Sequence, residues 1–126
     1  MARWFCFMLI ACIGVFCRSA TAPQQSTVYT SAELEAGKQL FSSLCGNCHK
    51  INADMSGPAL RGSLARWPNR ALLYAFVRNS KSVVDTNAYA KGLYLAYNQT
   101  VMPAMPQLTD NQIDQIFAYV EANSQP

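Results

Sequence analysis

Apolar residues recur at intervals of three and four positions in several stretches of the chain, which is the spacing of an amphipathic helix. The clearest run is Ile113, Ile116, Phe117 and Val120. Weaker runs of the same kind occupy residues 31–44, 67–79 and 88–97. No stretch shows a clear polar–apolar alternation of the kind that marks a strand. The pattern therefore predicts an all-α protein with four to five short helices.

Two of the predicted helices carry start signals. Thr30 and Glu33 have the spacing of a capping box, and so do Thr109 and Gln112 before the last helix. Gly37 lies inside the first helix, where glycine costs up to about 1 kcal/mol relative to alanine. Either another helix approaches closely at Gly37, or the residue is a neutral surface position.

Two segments between the helices are predicted to be loops. Residues 51–64 contain Gly57-Pro58 and Gly62, which interrupt any helical period. Residues 99–108 contain two prolines, at positions 103 and 106. Prolines at this spacing prevent regular structure and stiffen the backbone.

Residues 1–22 have the features of an export signal peptide. Arg3 supplies the positive charge, residues 4–17 are almost wholly apolar, and residues 19–22 are small side chains suited to cleavage. The apolar run of about 14 residues is shorter than the roughly 20 that span a membrane. The mature protein is therefore expected to be periplasmic or otherwise exported.

A membrane anchor is the alternative interpretation of the same leader. Residues 9–12 resemble a lipoprotein cleavage box, which would place a lipid on Cys12, and an uncleaved apolar run would also anchor the chain. Residues 23–30 are polar and are assigned to a flexible tether. Residues 31–126 are assigned to a single folded domain.

The cysteines divide between the leader and the domain. Three of the five lie in the leader, so Cys45 and Cys48 are the cysteines expected in the mature protein. The full chain has a formal net charge of +3. Loss of the two arginines of the leader leaves eight basic against seven acidic residues. This balance gives no support to a nucleic-acid partner.

Cys45-Gly46-Asn47-Cys48-His49 has the sequence of a c-type haem attachment site. The thiols of Cys45 and Cys48 can add to the two haem vinyl groups as thioethers. The imidazole of His49 follows directly and can reach the iron. The motif therefore predicts one covalently attached haem c.

Two other interpretations of the motif fit the sequence less well. A thioredoxin-like redox pair would need a βαβ context, whereas the flanking pattern is helical. A structural zinc site needs four Cys or His ligands. His49 is the chain's one histidine, and the remaining cysteines lie in the leader. The redox pair therefore lacks its βαβ context, and the zinc site lacks its remaining ligands.

A low-spin haem needs a second axial ligand, and the remaining candidates are methionine sulfurs. Met55 lies in the same loop as the end of the motif and is poorly placed to reach the other face of the haem. Met102 and Met105 lie on the proline-stiffened loop about fifty residues downstream. A soft, neutral sulfur favours Fe(II) over Fe(III). Met102 lies farther from the Thr109 cap, which leaves the chain more room to turn.

Together these motifs resemble class I cytochrome c over residues 31–122. The run Gly57-Pro58-Ala59-Leu60-Arg61-Gly62 is similar to a loop of that family. The resemblance implies that the Pro58 carbonyl accepts the Nδ1 proton of His49 and that Leu60 packs on the haem. Met102-Pro103-Ala104 is similar to the family's ligand loop, which implies Met102 as the sixth ligand.

The resemblance also bears on the helices and on the propionates of the haem. Gly37 and Phe41 against Ile116 and Tyr119 are similar to the family's crossing of N- and C-terminal helices. That crossing implies a cytochrome c fold around one haem, with Gly37 at the point of close approach. Trp67 or Arg61 is a weaker candidate for contact with a propionate.

The function implied is one-electron transfer in a respiratory or dehydrogenase chain, with no enzymatic activity of its own. Its partners would be a redox protein donor and acceptor that dock transiently. Membrane association would come only through the leader. Two alternatives remain: a haem c subunit of a membrane-associated respiratory complex, and a haem enzyme or gas-binding protein. The second would need an open iron site and usually a distal base, and the lack of a second histidine counts against it.

Overall fold

A computed structural model describes residues 28–125 of the chain. The predicted signal peptide, most of the predicted tether and the final residue lie outside this range. The described helices are α1 (Ser31–Leu40), α2 (Ser63–Arg66), α3 (Arg70–Arg78), α4 (Ser80–Val84), α5 (Ala88–Ala96) and α6 (Asp110–Ala122). A π-helical turn, Phe41–Cys45, continues α1. Residues 28–125 contain no strand, so the prediction of an all-α protein is confirmed.

Both predicted capping boxes are present. The Glu33 amide donates to Thr30 Oγ1 at 3.2 Å, and the Thr30 amide donates to Glu33 Oε2 at 2.8 Å. At the start of α6, the Gln112 amide donates to Thr109 Oγ1 at 3.2 Å, and the Thr109 amide donates to Gln112 Oε1 at 3.0 Å. Each box satisfies two backbone donors that a helix start would otherwise leave free.

The helix count is six rather than four to five because α2 and α4 are too short to show a period. α3 also begins later than the pattern from residue 67 suggests. Asn69 Oδ1 accepts the Leu72 amide at 2.8 Å and so sets the start of α3 at Arg70. Trp67 precedes a proline and has extended backbone, φ −81° and ψ 139°.

α1 crosses α6 at Gly37, which is buried. A Cβ at this position would overlap the Gln115 carbonyl oxygen and lie 2.6 Å from its carbon. One turn along, the rings of Phe41 and Tyr119 lie 5.6 Å apart. The expected crossing of the first and last helices is confirmed, and it requires glycine at residue 37.

The core lies between α3, α4, α5 and α6. Ile113 and Val120 of α6 are fully buried, and Leu73 of α3 is 2% exposed. Trp67 packs against Phe76 at 4.8 Å and against Tyr89 at 5.0 Å between ring centroids. Within residues 28–125, none of the helices has the length and apolar character needed to cross a bilayer.

Candidate haem site

An apolar cavity opens beside the Cys45–His49 motif. Cys45, Cys48 and His49 line it, and so do apolar side chains from four helices, among them Leu73, Val84, Leu93 and Ile116. The cavity and its open mouth hold about 1040 Å³. The lining therefore suits a large, flat, apolar group such as haem.

The motif forms a tight turn at the end of the π-helical segment. The amides of Cys48 and His49 both donate to the Cys45 carbonyl, at 3.1 and 2.9 Å. Cys45 is half-buried and Cys48 is exposed, and neither forms a disulfide. Burial, followed by the neighbouring charge of Cys48, raises the pKa of the Cys45 thiol to about 11. The Cys45 sulfur therefore stays protonated at neutral pH until it is alkylated.

The loop after the motif holds the imidazole of His49 in place. His49 Nδ1 lies 2.8 Å from the Pro58 carbonyl oxygen, and the Gly57 amide donates to the Cys48 carbonyl at 2.9 Å. A Cβ on Gly57 would lie 2.8 and 2.9 Å from the two ring nitrogens, so this position needs glycine. A hydrogen bond from Nδ1–H to a carbonyl leaves Nε2 as the nitrogen available to a metal.

Asp54 supports this loop from behind, and the sequence pattern did not identify it. Its Oδ1 accepts the Ala59 amide at 2.8 Å, one residue after the Pro58 carbonyl. The Ala59 N–H, and next the hydroxyl of Tyr97, hold the pKa of Asp54 below its usual value. Arg66 adds hydrogen bonds to the carbonyls of Ala59 at 2.9 Å and Arg61 at 2.6 Å.

The three methionines of the domain have different surroundings. Met102 is half-buried and lines the cavity together with His49. Met105 is 9% exposed and packs in the core, outside the cavity lining. Met55 is 42% exposed and also lies outside the lining. The role of Met102 as an iron ligand stays a prediction, but it is the methionine placed with the motif.

The other residues predicted for the site also differ in whether they line the cavity. Pro58 and Leu60 line the cavity, as the resemblance implies for residues that contact the haem or its histidine. Trp67 and Arg61 are not among the lining residues; Trp67 lies in the core instead. Ser80 lines the cavity and was not predicted, because its role depends on a loop 22 residues away.

An all-α domain that closes an apolar cavity over a Cys-x-x-Cys-His turn defines a c-type haem protein. The sequence model of the Cytochrome c family matches residues 34–124, and the chain belongs to this family. This membership makes it a haem-based electron carrier with a covalently attached haem c, which contains iron. Within residues 28–125, no three His, Cys, Asp or Glu side chains cluster as a separate metal site.

Two solved structures share the fold. One is a cytochrome c from Rhodothermus marinus, with 25% identity and a TM-score of 0.62, covering 78% of this chain and 85% of that one. The other is an engineered cytochrome c from Rhodothermus marinus bound to a carbene intermediate, with 24% identity and a TM-score of 0.57. That match covers 78% of this chain and 86% of the other. No curated protein matches the sequence significantly.

Proposed function

We propose that the protein is an exported one-electron carrier of a respiratory or dehydrogenase chain, with His49 and Met102 as the axial ligands of its haem. One observation carries the proposal: Met102 lines the same cavity as Cys45, Cys48 and His49, while Met105 and Met55 do not. Bound haem supplies the Fe(III)/Fe(II) couple. A ligand on each side of the iron favours electron transfer over binding of a substrate or gas.

The protein's own residues keep the site nearly unchanged between oxidation states. The Pro58 carbonyl fixes the tautomer and orientation of His49. The apolar walls, including Leu73 and Ile116, exclude water and leave few polar groups to reorganise. Cys45 and Cys48 supply thioether bonds that tie the haem to the chain. Low reorganisation keeps the barrier to electron transfer low.

Electrons would enter and leave at the mouth of the cavity. Several residues that line the cavity are also exposed, namely Cys48, Ser56, Thr100, Val101 and Pro103. A haem edge held near these residues would lie within reach of a partner's cofactor. A redox protein donor or acceptor would dock here through an interface below about 1,200 Å², which suits brief encounters.

The ligand assignment is tested by two substitutions in the same loop. Met102→Ala should abolish the weak sulfur-to-iron band at the red edge of the ferric spectrum and open the ferrous iron to carbon monoxide. Met105→Leu conserves volume outside the cavity and should keep the band. The reverse pattern would move the ligand to Met105. Retention of the band in both variants would rule out thioether ligation by this loop.

Export is proposed from the leader, in line with the typical export of cytochrome c domains. Arg3, the apolar run and the small residues up to Ala22 support removal of residues 1–22. The N-terminus of the mature protein should then fall near residues 20–23. A lipid on Cys12 would instead favour a haem c subunit of a membrane-associated complex. An intact Met1 in a water-soluble cytoplasmic fraction would contradict both forms of export.

A further inference from the structure

The junction between α3 and α4 faces the loop that carries Met102. Asn79 ends α3 and caps α4, with φ −156° and ψ 84°, and its side chain accepts the Ser82 amide at 3.4 Å. A carbonyl in the last turn of a helix has no helical partner. The break at Asn79 therefore leaves the Arg78 carbonyl free to bind elsewhere and places Ser80 at the start of α4.

Three hydrogen bonds join this junction to residues 102–108. The hydroxyl of Ser80 donates to the Met102 carbonyl at 2.7 Å. The Met105 amide donates to the Arg78 carbonyl at 3.2 Å, and Arg78 Nε donates to the Leu108 carbonyl at 2.7 Å. Prolines at 103 and 106 have no amide hydrogen to donate. The junction thus supplies hydrogen bonds that the loop cannot make internally.

The bond from Ser80 differs from the others because it ends on Met102 itself. Ser80 is 2% exposed and lines the apolar cavity. A hydroxyl in such a place is costly unless it finds an acceptor. Its acceptor is the backbone carbonyl of Met102, a residue that also lines the cavity. The hydroxyl therefore favours the arrangement in which Met102 faces the cavity.

We propose that Ser80 is a positioning residue for Met102. This inference rests on the proposed function, in which Met102 binds the iron. In the holoprotein, the sulfur of Met102 would bind the iron in one position of the loop and be released from it in another. The Ser80–Met102 hydrogen bond of this structure would stabilise the first of these positions over the second. Ser80 thus sets how rarely the sixth position of the iron opens.

Imidazole is a suitable probe because it binds ferric iron when the sixth position is open. Its apparent affinity is the intrinsic affinity multiplied by the open fraction. Ser80→Ala should raise that affinity about three- to tenfold, which is the effect of losing one hydrogen bond on an equilibrium. The sulfur-to-iron band should remain in the absence of imidazole, because Met102 is still present.

Ser63→Ala is the matched control. Ser63 is 5% exposed, its hydroxyl accepts a hydrogen bond from Arg66 at 3.1 Å, and it does not line the cavity. This variant should keep wild-type imidazole affinity even if its overall stability falls. Ser80→Thr keeps the donor and should return the affinity towards wild type. Cysteine is close in size to serine and is a weaker hydrogen-bond donor. Ser80→Cys is therefore measured instead if the alanine variant does not accumulate.

Two results would overturn the inference. Wild-type imidazole affinity in both Ser80→Ala and Ser80→Cys would show that the hydroxyl does not bias the loop. An equal rise in Ser63→Ala and Ser80→Ala would assign the effect to general destabilisation. Met102→Ala distinguishes a failure of the ligand assignment from a failure of the proposed role of Ser80. If that variant keeps the band, the ligand assignment fails; if it loses the band while the Ser80 variants match wild type, only the role of Ser80 fails.

Discussion

Gly57 sets the approach of the Pro58 loop to the imidazole of His49. Its Cα lies so close to the ring that an added Cβ would sit 2.8 Å from Nδ1. The hydrogen bond from His49 to Pro58 depends on that approach. The residue therefore acts on the iron site through packing alone.

Replacing Gly57 by alanine should displace either the imidazole or the loop. We expect Gly57→Ala to lower the free energy of unfolding of the holoprotein by roughly 1–3 kcal/mol, as overpacking does. The midpoint potential should shift as well. Gly46→Ala, within the motif, is the control, because its Cβ would meet ordinary contacts of 3.5 Å or more. Equal stability and potential in the two variants would show that Gly57 does not constrain His49.

Asp54 should make the stability contributed by the same loop depend on pH. The Ala59 N–H and then the Tyr97 hydroxyl lower its pKa in the folded protein from the ordinary 3.8. A carboxylate with a lowered folded-state pKa stabilises the fold above its unfolded pKa, and this contribution is lost as the pH falls through the folded value. The contribution of Asp54 is therefore present at neutral pH and absent well below pH 4.

Unfolding of the holoprotein in urea at pH 7 and at pH 3 measures this contribution. Asp54→Asn should lose stability relative to wild type at pH 7 and approach it at pH 3, because the amide cannot gain a charge. Tyr97→Phe removes one donor and leaves the Ala59 N–H, so its pH dependence should fall between the two. A constant difference between Asp54→Asn and wild type at both pH values would contradict the role of the charge.

Only some residues of the site could be predicted from the sequence. Cys45, Cys48 and His49 follow from five adjacent residues, and the haem itself is confirmed by the family. Asp54 and Ser80 could not be predicted, because their partners are set by tertiary structure. A serine or an aspartate in a polar stretch has no period or spacing that reveals its hydrogen-bond partner.

The crossing of α1 and α6 depends on Gly37. The built Cβ of Gly37 would meet backbone atoms of Gln115, which cannot rotate away as a side chain could. Helix α6 would have to move as a unit. Because Ile113, Ile116 and Phe117 of α6 form part of the cavity wall, a shift of this helix would also reach the haem site.

We therefore expect Gly37→Ala to destabilise the holoprotein by roughly 1–3 kcal/mol or more. Gly92→Ala is the helical control, because a Cβ at Gly92 meets nothing within 4 Å. Alanine there should be neutral or should stabilise the protein by up to about 1 kcal/mol. Urea unfolding of both variants checks the pair. Equal stability would contradict the close approach of α1 to α6.

The elements that were predicted correctly have strong local signals. The capping boxes at Thr30 and Thr109 define the starts of α1 and α6 through contacts three residues apart. α2 and α4 have four and five residues, too few to show a helical period. Their positions are set by packing of residues such as Val83 and Val84 in the core. Short helices of this kind become visible only in the folded molecule.

The haem cavity is lined by parts of the chain that are far apart in sequence. The motif at residues 45–49, the loop at 56–60, helices α3 to α6 and the loop at 100–103 all line it. The sequence predicted the all-α class and, through resemblance, the fold. It could not predict the walls of the cavity, because these depend on how the helices pack around one another.

The proposed site holds a single haem with both axial positions filled by the protein. An optical redox titration of the purified holoprotein, repeated under carbon monoxide, tests it most directly. We expect one transition that fits a one-electron Nernst curve, with the sulfur-to-iron band disappearing as the iron is reduced. Carbon monoxide should leave the ferrous spectrum unchanged. A missing ferric band together with a carbon monoxide shift in the ferrous protein would show an open iron site and would contradict ligation of the iron by both residues.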